Sequence, residues 1–346
     1  MEEVKKTVVI DLGSGLTKVG FAGEGSPRST FPTVIGYPKY ARLPSEEAVE
    51  YYVGDEVMAI KGMLKLSYMI RRGVVKNWDQ LERLLEYIFH TVLAVRPEEC
   101  AVLLEVPVMS PRTMKEKLAE VFFERFSVPS FYMYPQPLAS LYAVGKMTGL
   151  VVDCGDGLTQ VMPVYSGYPI MHAINKIELG GSDINDYLAT LLNERGYSFT
   201  TSAEMEIVRD IKERICYVAL DYEEEMKKAG EEPPQMEYIL PDSSLLVADV
   251  ERFMAPEILF NPGMVGLDAI PVHEAVLRSL LKSPIDTRPE LASNIVLSGG
   301  STLFPGFKER LRKEVVEGLR EEGLKELDVK ITAVPERLYT SWMGGA

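Results

Sequence analysis

A chain of 346 residues is long enough for two domains of ordinary size, and 46% hydrophobic with 25% charged residues is a globular balance. The formal net charge of −14 argues against sequence-independent binding to nucleic acid or anionic lipid, both of which need a positive surface. No run of about 18 apolar residues is present to span a membrane, and the widely spaced Cys100, Cys154 and Cys216 make neither a disulfide framework nor a zinc pattern.

The start, MEEVKKTVVIDLG, lacks a secretion pattern, and the cysteine usage leads to the expectation of a reducing cytoplasm without membrane insertion. Apolar alternation predicts strands at Thr7–Leu12 and Lys18–Ala22. Asp79–Val92 carries Leu81, Leu84, Leu85, Ile88, Phe89 and Val92 at the spacing of one helical face. Ala101–Val108 is a near-continuous apolar run, read as a strand buried on both faces. A helix follows with Ser110 as N-cap and Pro111 in its first position, and another spans Pro137–Lys146. After Gly149 the pattern restarts as strand, tight turn, strand, turn, strand. Helices are predicted at Asp183–Arg195 and Ala203–Leu220, a charged helix end and loop at Tyr222–Gln235, and a hairpin around Pro241 and Asp242. The rest reads as a helix at Ala269–Leu281, a strand running into a turn at Asn294–Gly300, and a helix at Pro305–Glu322. His90, His172 and His273 show no ligand spacing and are read as structural.

Both halves open with the same turn. IDLGSGLTKVGFAG begins at Ile10 and VDCGDGLTQVMPV at Val152; the shared skeleton is D-x-G-x-G-x-T, with Asp11, Gly13, Gly15 and Thr17 matched by Asp153, Gly155, Gly157 and Thr159. A duplicated α/β unit is the simplest account. The glycines permit positive φ and close approach of backbone N–H groups to an anion. Ser14 adds a hydroxyl, and Lys18 a point charge suited to phosphate. Phosphate alone would repel Asp11 and Asp153, but a divalent cation between them reverses the sign, and Mg²⁺ favours a few carboxylates with water and phosphate oxygens. The P-loop and dinucleotide motifs are both absent; Lys18 and Gln160 occupy the third glycine position of the latter. A third glycine cluster, LSGGSTLFPGF from Leu297, leads from an apolar strand into a helix, a setting that suits a nucleotide.

Longer segments carry a resemblance. GFAGEGSPRSTFPTVIG (Gly20–Gly36), YVGDE (Tyr52–Glu56), NWDQLE (Asn77–Glu82), RGYSFTTSAEMEIVRDIKERICYVALDYEEEM (Arg195–Met226), VLSGGSTLFPG (Val296–Gly306), PER (Pro335–Arg337) and SWMGG (Ser341–Gly345) resemble actin-family segments with few changes. The wider superfamily joins actins, sugar kinases and heat-shock chaperone ATPases. The resemblance implies a duplicated α/β actin-like ATPase fold of two lobes, each a mixed sheet flanked by helices, with the nucleotide in the cleft between them. The first lobe is expected at residues 1–138 and 334–346 with an insertion at about 33–69, the second at 139–333 with an insertion at about 181–268.

The same resemblance assigns roles. Ser14, Gly15 and Lys18 are expected on the β- and γ-phosphates of ATP or ADP, with Asp156, Gly157 and Thr159 in the opposing loop. Asp11, Gln136 and Asp153 are expected to hold Mg²⁺, or Ca²⁺ in its place, through water. Arg209, Lys212, Glu213, Gly300, Ser301 and Phe304 are expected around the adenosine, Glu213 accepting ribose hydroxyls and the Lys212 stem stacking on adenine. Gly13, Leu16, Gly155, Leu158, Gly181, Gly299 and Leu303 complete the nucleotide-contacting set. Gln136, Gln160, Asp153 and Asp11 form the expected catalytic set, the two glutamines placing the attacking water. Gln160 stands where actins usually carry a histidine, and an amide does not titrate near neutral pH.

Other departures are Arg72, in place of a histidine that many actins methylate, and Leu338, in place of a lysine near the adenine. Beyond Gly345 actins continue into helices that complete the lobe and build one wall of a partner-binding groove; either these are missing by truncation or something else covers their surface. Tyr142, Val144, Gly145 and Met147 would belong to the other wall. Pro38–Tyr51 occupies the place of a mobile subunit-contact loop, and Gly263–Ile270, with apolar Met264, Val265 and Leu267, that of a loop between filament strands. The expected function is therefore a filament-forming cytoskeletal protein and slow Mg-dependent ATPase stimulated by polymerisation. Its expected partners are copies of itself and regulators such as profilin- or gelsolin-like proteins. The rival is a non-polymerising, ATP-binding scaffold subunit; a small-molecule kinase would need a catalytic carboxylate for which no candidate stands out.

Overall fold

A computed structural model of the chain describes residues 6–39 and 50–346. The centre of the expected contact loop, residues 40–49, lies outside the described residues. The chain divides into two compact units: Met1–Met147 with Gly155–Gly157 and Pro335–Ala346, and Thr148–Cys154 with Leu158–Val334.

The first unit is built on a five-stranded sheet in the order Ser130–Pro135, Cys100–Val106, Lys6–Leu12, Leu16–Phe21, Ser29–Pro32. Lys6–Leu12 runs antiparallel to Leu16–Phe21 through the first glycine turn and parallel to Cys100–Val106 on its other side. Strand alternation sends Val8, Ile10, Val102 and Leu104 to one face, where they pack with Leu81, Leu84, Phe89, Met114 and Leu118 from neighbouring helices. The opposite face carries Val9, Asp11, Leu103 and Glu105, and is covered by the helices Gln136–Ala143 and Thr340–Gly345. Trp342 anchors the second of these helices: its side chain is fully buried and its indole N–H donates to the Val9 carbonyl at 3.0 Å. A small sheet of Tyr52–Val53, Val34–Pro38 and Leu64–Tyr68 forms its own cluster around Val34, Val57, Leu64 and Leu66.

In the second unit the main sheet runs Tyr168–Pro169, Thr159–Tyr165, Gly149–Cys154, Ile295–Ser298, Ile331–Thr332, with Asn175–Ile177 also paired to Thr159–Tyr165. Again a central strand makes a hairpin with its successor and lies parallel to strands reached later in the chain. Duplication is thus present in strand order as well as in the repeated turn. Each unit is mixed α/β, with sheets flanked by helices.

Several elements differ from their expected limits for identifiable reasons. Asp79–Val92 is α-helical only over Trp78–Glu86, capped by Asn77, and widens into a π-helical stretch at Tyr87–Val92. The widening keeps Ile88 and Phe89 in the core and His90 outside. Ser110 does not cap the next helix. Its hydroxyl donates to the Pro107 carbonyl at 2.7 Å, and Pro111 precedes a helix beginning at Arg112. The helix expected to reach Leu220 spans Ser202–Ile215, because the Tyr217 and Val218 N–H groups bond to Arg252 and Pro305 carbonyls instead. Pro271 sets the start of Val272–Lys282. Met264, Val265 and Leu267 pack against the core of their own unit.

In that core the His273 ring stacks on Phe260, centroids 6.0 Å apart, and its Nδ1 is buried with no hydrogen-bond partner among the described residues. Burial lowers its pKa from the ordinary 6.5, aided by nearby Arg310 and opposed by Glu314 and Glu274. The unfolded chain therefore takes up this proton first, so stability is retained above pH 6.5 and lost as pH falls towards the folded value. His273→Phe should flatten the stability curve below neutral pH. Urea unfolding from about pH 5 to 7.5 checks this, and an undiminished slope in the variant refutes it.

Candidate functional site

The two repeated turns head two half-sites, built alike. In the first unit, Asp11 and Lys18 face each other across the hairpin, and the Lys18 ammonium donates to Asp11 Oδ2 at 2.7 Å. In the second, Asp153 and Gln160 occupy the same hairpin positions, and Gln160 Nε2 donates to Asp153 Oδ2 at 2.9 Å. Both aspartates are buried, 2% and 7% exposed, so each needs such a donor. The donors differ in charge. An ammonium faces Asp11 across its hairpin, and a neutral amide faces Asp153. Gln160, expected to place a water, donates its amide N–H to Asp153, as Gln136 does to Asp11, and its amide oxygen is the group that would face a water.

Around Asp11 the first half-site is closely ordered. Gln136, at the start of its helix, donates Nε2 to Asp11 Oδ1 at 2.7 Å. Gly13, Ser14, Gly15 and Leu16 form the turn, closed by the Gly13 N–H on the Leu16 carbonyl at 3.1 Å. Ser14 Oγ accepts from the Gly73 N–H at 3.1 Å, next to Arg72 at positive φ. Gly155, Asp156 and Gly157 belong to this same unit, and a Cβ on Gly157 would sit 2.5 Å from Ser14 Oγ, so only glycine fits there.

The threonines of the motif do other work. Thr17 Oγ1 is hydrogen-bonded to Thr33 Oγ1 at 2.8 Å, and Thr159 Oγ1 donates to the Leu179 carbonyl at 2.9 Å; both are buried. Each hydroxyl ties its hairpin to the adjoining chain, which accounts for threonine in both copies without a ligand. Leu158, beside Thr159, is buried in the second unit.

The expected adenosine residues all lie in the second unit. Gly181 begins a helix, and its carbonyl accepts from the buried Lys212 ammonium at 3.2 Å. Lys212 therefore links two helices as well as offering a stem. Arg209 bonds Glu213 at 3.2 Å one turn along the same helix, leaving the Glu213 side chain more than half exposed. Gly299 has φ +84°, and a Cβ there would lie 2.3 Å from the Cys154 carbonyl oxygen and 2.6 Å from Asp153 Oδ1. The third glycine cluster thus lies against the second repeated turn. Gly300, Ser301 and Leu303 follow in a 3₁₀ turn that ends at Phe304, where the Gly299 carbonyl accepts from Thr302. Burial pushes the Cys154 thiol up to about 12, which leaves it an inert packing residue.

Two contributors were not legible from motifs. The Gly73 N–H acts through the backbone, which carries no side-chain signal. Glu105, the one acid in AVLLEVPV, did leave a signal, a charge inside an apolar strand; it pairs with Asp11 in parallel register.

Within the first unit, the Asp11 carboxylate and the Gln136 amide have the oxygen chemistry that a hydrated divalent cation would meet. No group of three or more His, Cys, Asp or Glu able to enclose a metal occurs among the described residues. A family model described as Actin matches residues 2–346, essentially the whole chain. The chain belongs to the actin family. It is accordingly an actin-like ATP-binding protein, and among its described residues no helix is long and apolar enough to cross a membrane.

Gly299→Ala tests the second half-site. The strained φ and backbone clash should weaken ATP binding by at least about tenfold in calorimetric titration. Unchanged affinity would separate Gly299 from the nucleotide.

Proposed function

We propose that this actin-family protein binds ATP with Mg²⁺ at its two aspartate-headed turns, polymerises, and hydrolyses the nucleotide slowly, faster in the filament. What carries the reading is the paired construction of the half-sites: two buried aspartates, each fixed by a donor across its own hairpin, each beside glycines with no room for a side chain. One polyphosphate engaging both turns gives such a duplication a purpose.

The side chains have distinct tasks in this proposal. Ser14, whose oxygen already accepts from Gly73, offers its proton to a phosphate oxygen. Lys18 supplies a point charge there. The bond to Asp11 sets the Gln136 amide, whose carbonyl can then orient an attacking water. Asp11, Gln136 and Asp153 hold the cation through water. Bound Mg²⁺ would supply neutralisation of the phosphate charge. Gln160 keeps Asp153 aimed, in a role that does not titrate. Filament contacts would favour the hydrolysis-competent arrangement by population shift. Ca²⁺ can replace Mg²⁺ in this scheme, and profilin- or gelsolin-like regulators are the proposed partners besides the protein itself.

Light scattering after adding Mg-ATP, across a protein concentration series, tests assembly. Growth above a critical concentration is expected; a flat signal from ATP-loaded protein points instead to a non-polymerising scaffold subunit. Asp153→Asn should impair Mg²⁺-dependent binding more than ATP binding in EDTA, because it removes a carboxylate proposed to face the hydrated cation. Wild-type Mg²⁺ dependence and phosphate release in this variant would remove Asp153 from the metal assignment. Bound nucleotide should also raise stability, by about 4 kcal/mol at about a thousandfold excess over Kd, which a thermal shift with and without ATP reads directly.

A further inference from the structure

Asp11 and Glu105 are paired residues on adjacent parallel strands, so their side chains rise from the same face of the sheet. Glu105 is 0% exposed, and the Ser341 hydroxyl donates to its Oε2. A buried carboxylate is costly where an apolar residue of similar volume would pack without penalty. Its position in an otherwise apolar strand is therefore informative.

The covering helices make a closed circuit within the first unit. From Asp11, Gln136 leads into the helix Gln136–Ala143. The Ala139 carbonyl oxygen lies so close to Gly344 that an added Cβ would come within 1.8 Å of it. Gly344 belongs to the helix Thr340–Gly345, whose Ser341 binds Glu105, and Glu105 is the rung beside Asp11. Gly345 fits the same corner, where a Cβ would lie 2.4 Å from Glu105 Oε1. Every side of this frame is a hydrogen bond, a backbone contact or a sheet rung.

We infer that Glu105 and Ser341 are positioning residues, which brace the Asp11–Gln136 pair from behind and couple the Thr340–Gly345 helix to the cation side of the site. The inference rests on the proposed binding of Mg-ATP. Loss of the Ser341 hydroxyl opens one side of the frame, lets the two helices shift, and loosens the Gln136 amide on Asp11. The consequence falls on cation-dependent retention of nucleotide, while contacts made without metal are spared.

The experiment uses the full chain loaded with fluorescent etheno-ATP, with release followed in Mg²⁺ and separately in EDTA. Ser341→Ala should speed release in Mg²⁺ about fivefold, the factor that one net hydrogen bond is worth, and leave the EDTA rate within about twofold. Ser341→Thr, which keeps the hydroxyl, should restore the Mg²⁺ rate. Glu105→Gln, which keeps the shape, should act in the same direction and supplies the comparison if Ser341→Ala does not fold. Equal changes in both media, accompanied by a lower melting temperature of the nucleotide-free protein, overturn the inference by showing a merely structural pair. So does an unchanged Mg²⁺ rate in variants of a wild type that retains nucleotide. Failure of the wild type to retain etheno-ATP is a different result: it removes the ATP reading and this inference with it.

Discussion

Burying a carboxylate is the constraint on which the rest of this molecule turns. An isolated charge in a protein interior is too costly to keep unless donors surround it. Here the answer is local and is used twice. An aspartate sits one residue from the end of a strand, a glycine turn reverses the chain, and the residue directly across the hairpin supplies the donor. The turn must be glycine-rich because its backbone is crowded: a methyl group at Gly13 would meet the Leu16 carbonyl oxygen at 2.6 Å. The threonine that closes the motif locks each hairpin to neighbouring chain through its hydroxyl.

The copies have diverged in charge without changing geometry. Lys18 and Gln160 hold equivalent places, yet one brings a cationic donor to its aspartate and the other a neutral one. Their surroundings differ as well. Asp11 is reinforced by Gln136 and lies beside Glu105, while Asp153 lies against the backbone of Gly299. A pair of similar turns thereby presents two electrostatically distinct carboxylates.

In the first unit the site also depends on the far end of the chain. Trp342 pins the Thr340–Gly345 helix to the strand carrying Asp11, and Ser341, Gly344 and Gly345 meet Glu105 and the helix of Gln136. Residues more than 300 positions apart in sequence thus share one face of one sheet. Packing of this kind makes a stiff support, because neither backbone nor glycine can yield far without breaking a contact.

Much of this was legible in the sequence alone. The repeated D-x-G-x-G-x-T showed the duplication, apolar alternation showed the hairpin strands, and long segments pointed to the actin family. These signals are local, fixed by backbone conformational preference and by side-chain period. Tertiary structure decided what local rules leave open. It gave Ser110 to a carbonyl instead of a cap, ended a helix at Ile215 where distant carbonyls claimed the next N–H groups, and turned Gln160 onto Asp153. It also brought Glu105, Ser341 and Gly73 to the first half-site. A hydrogen bond between residues remote in sequence has no period and no fixed spacing. It exists only once the sheet and the helices above it have closed.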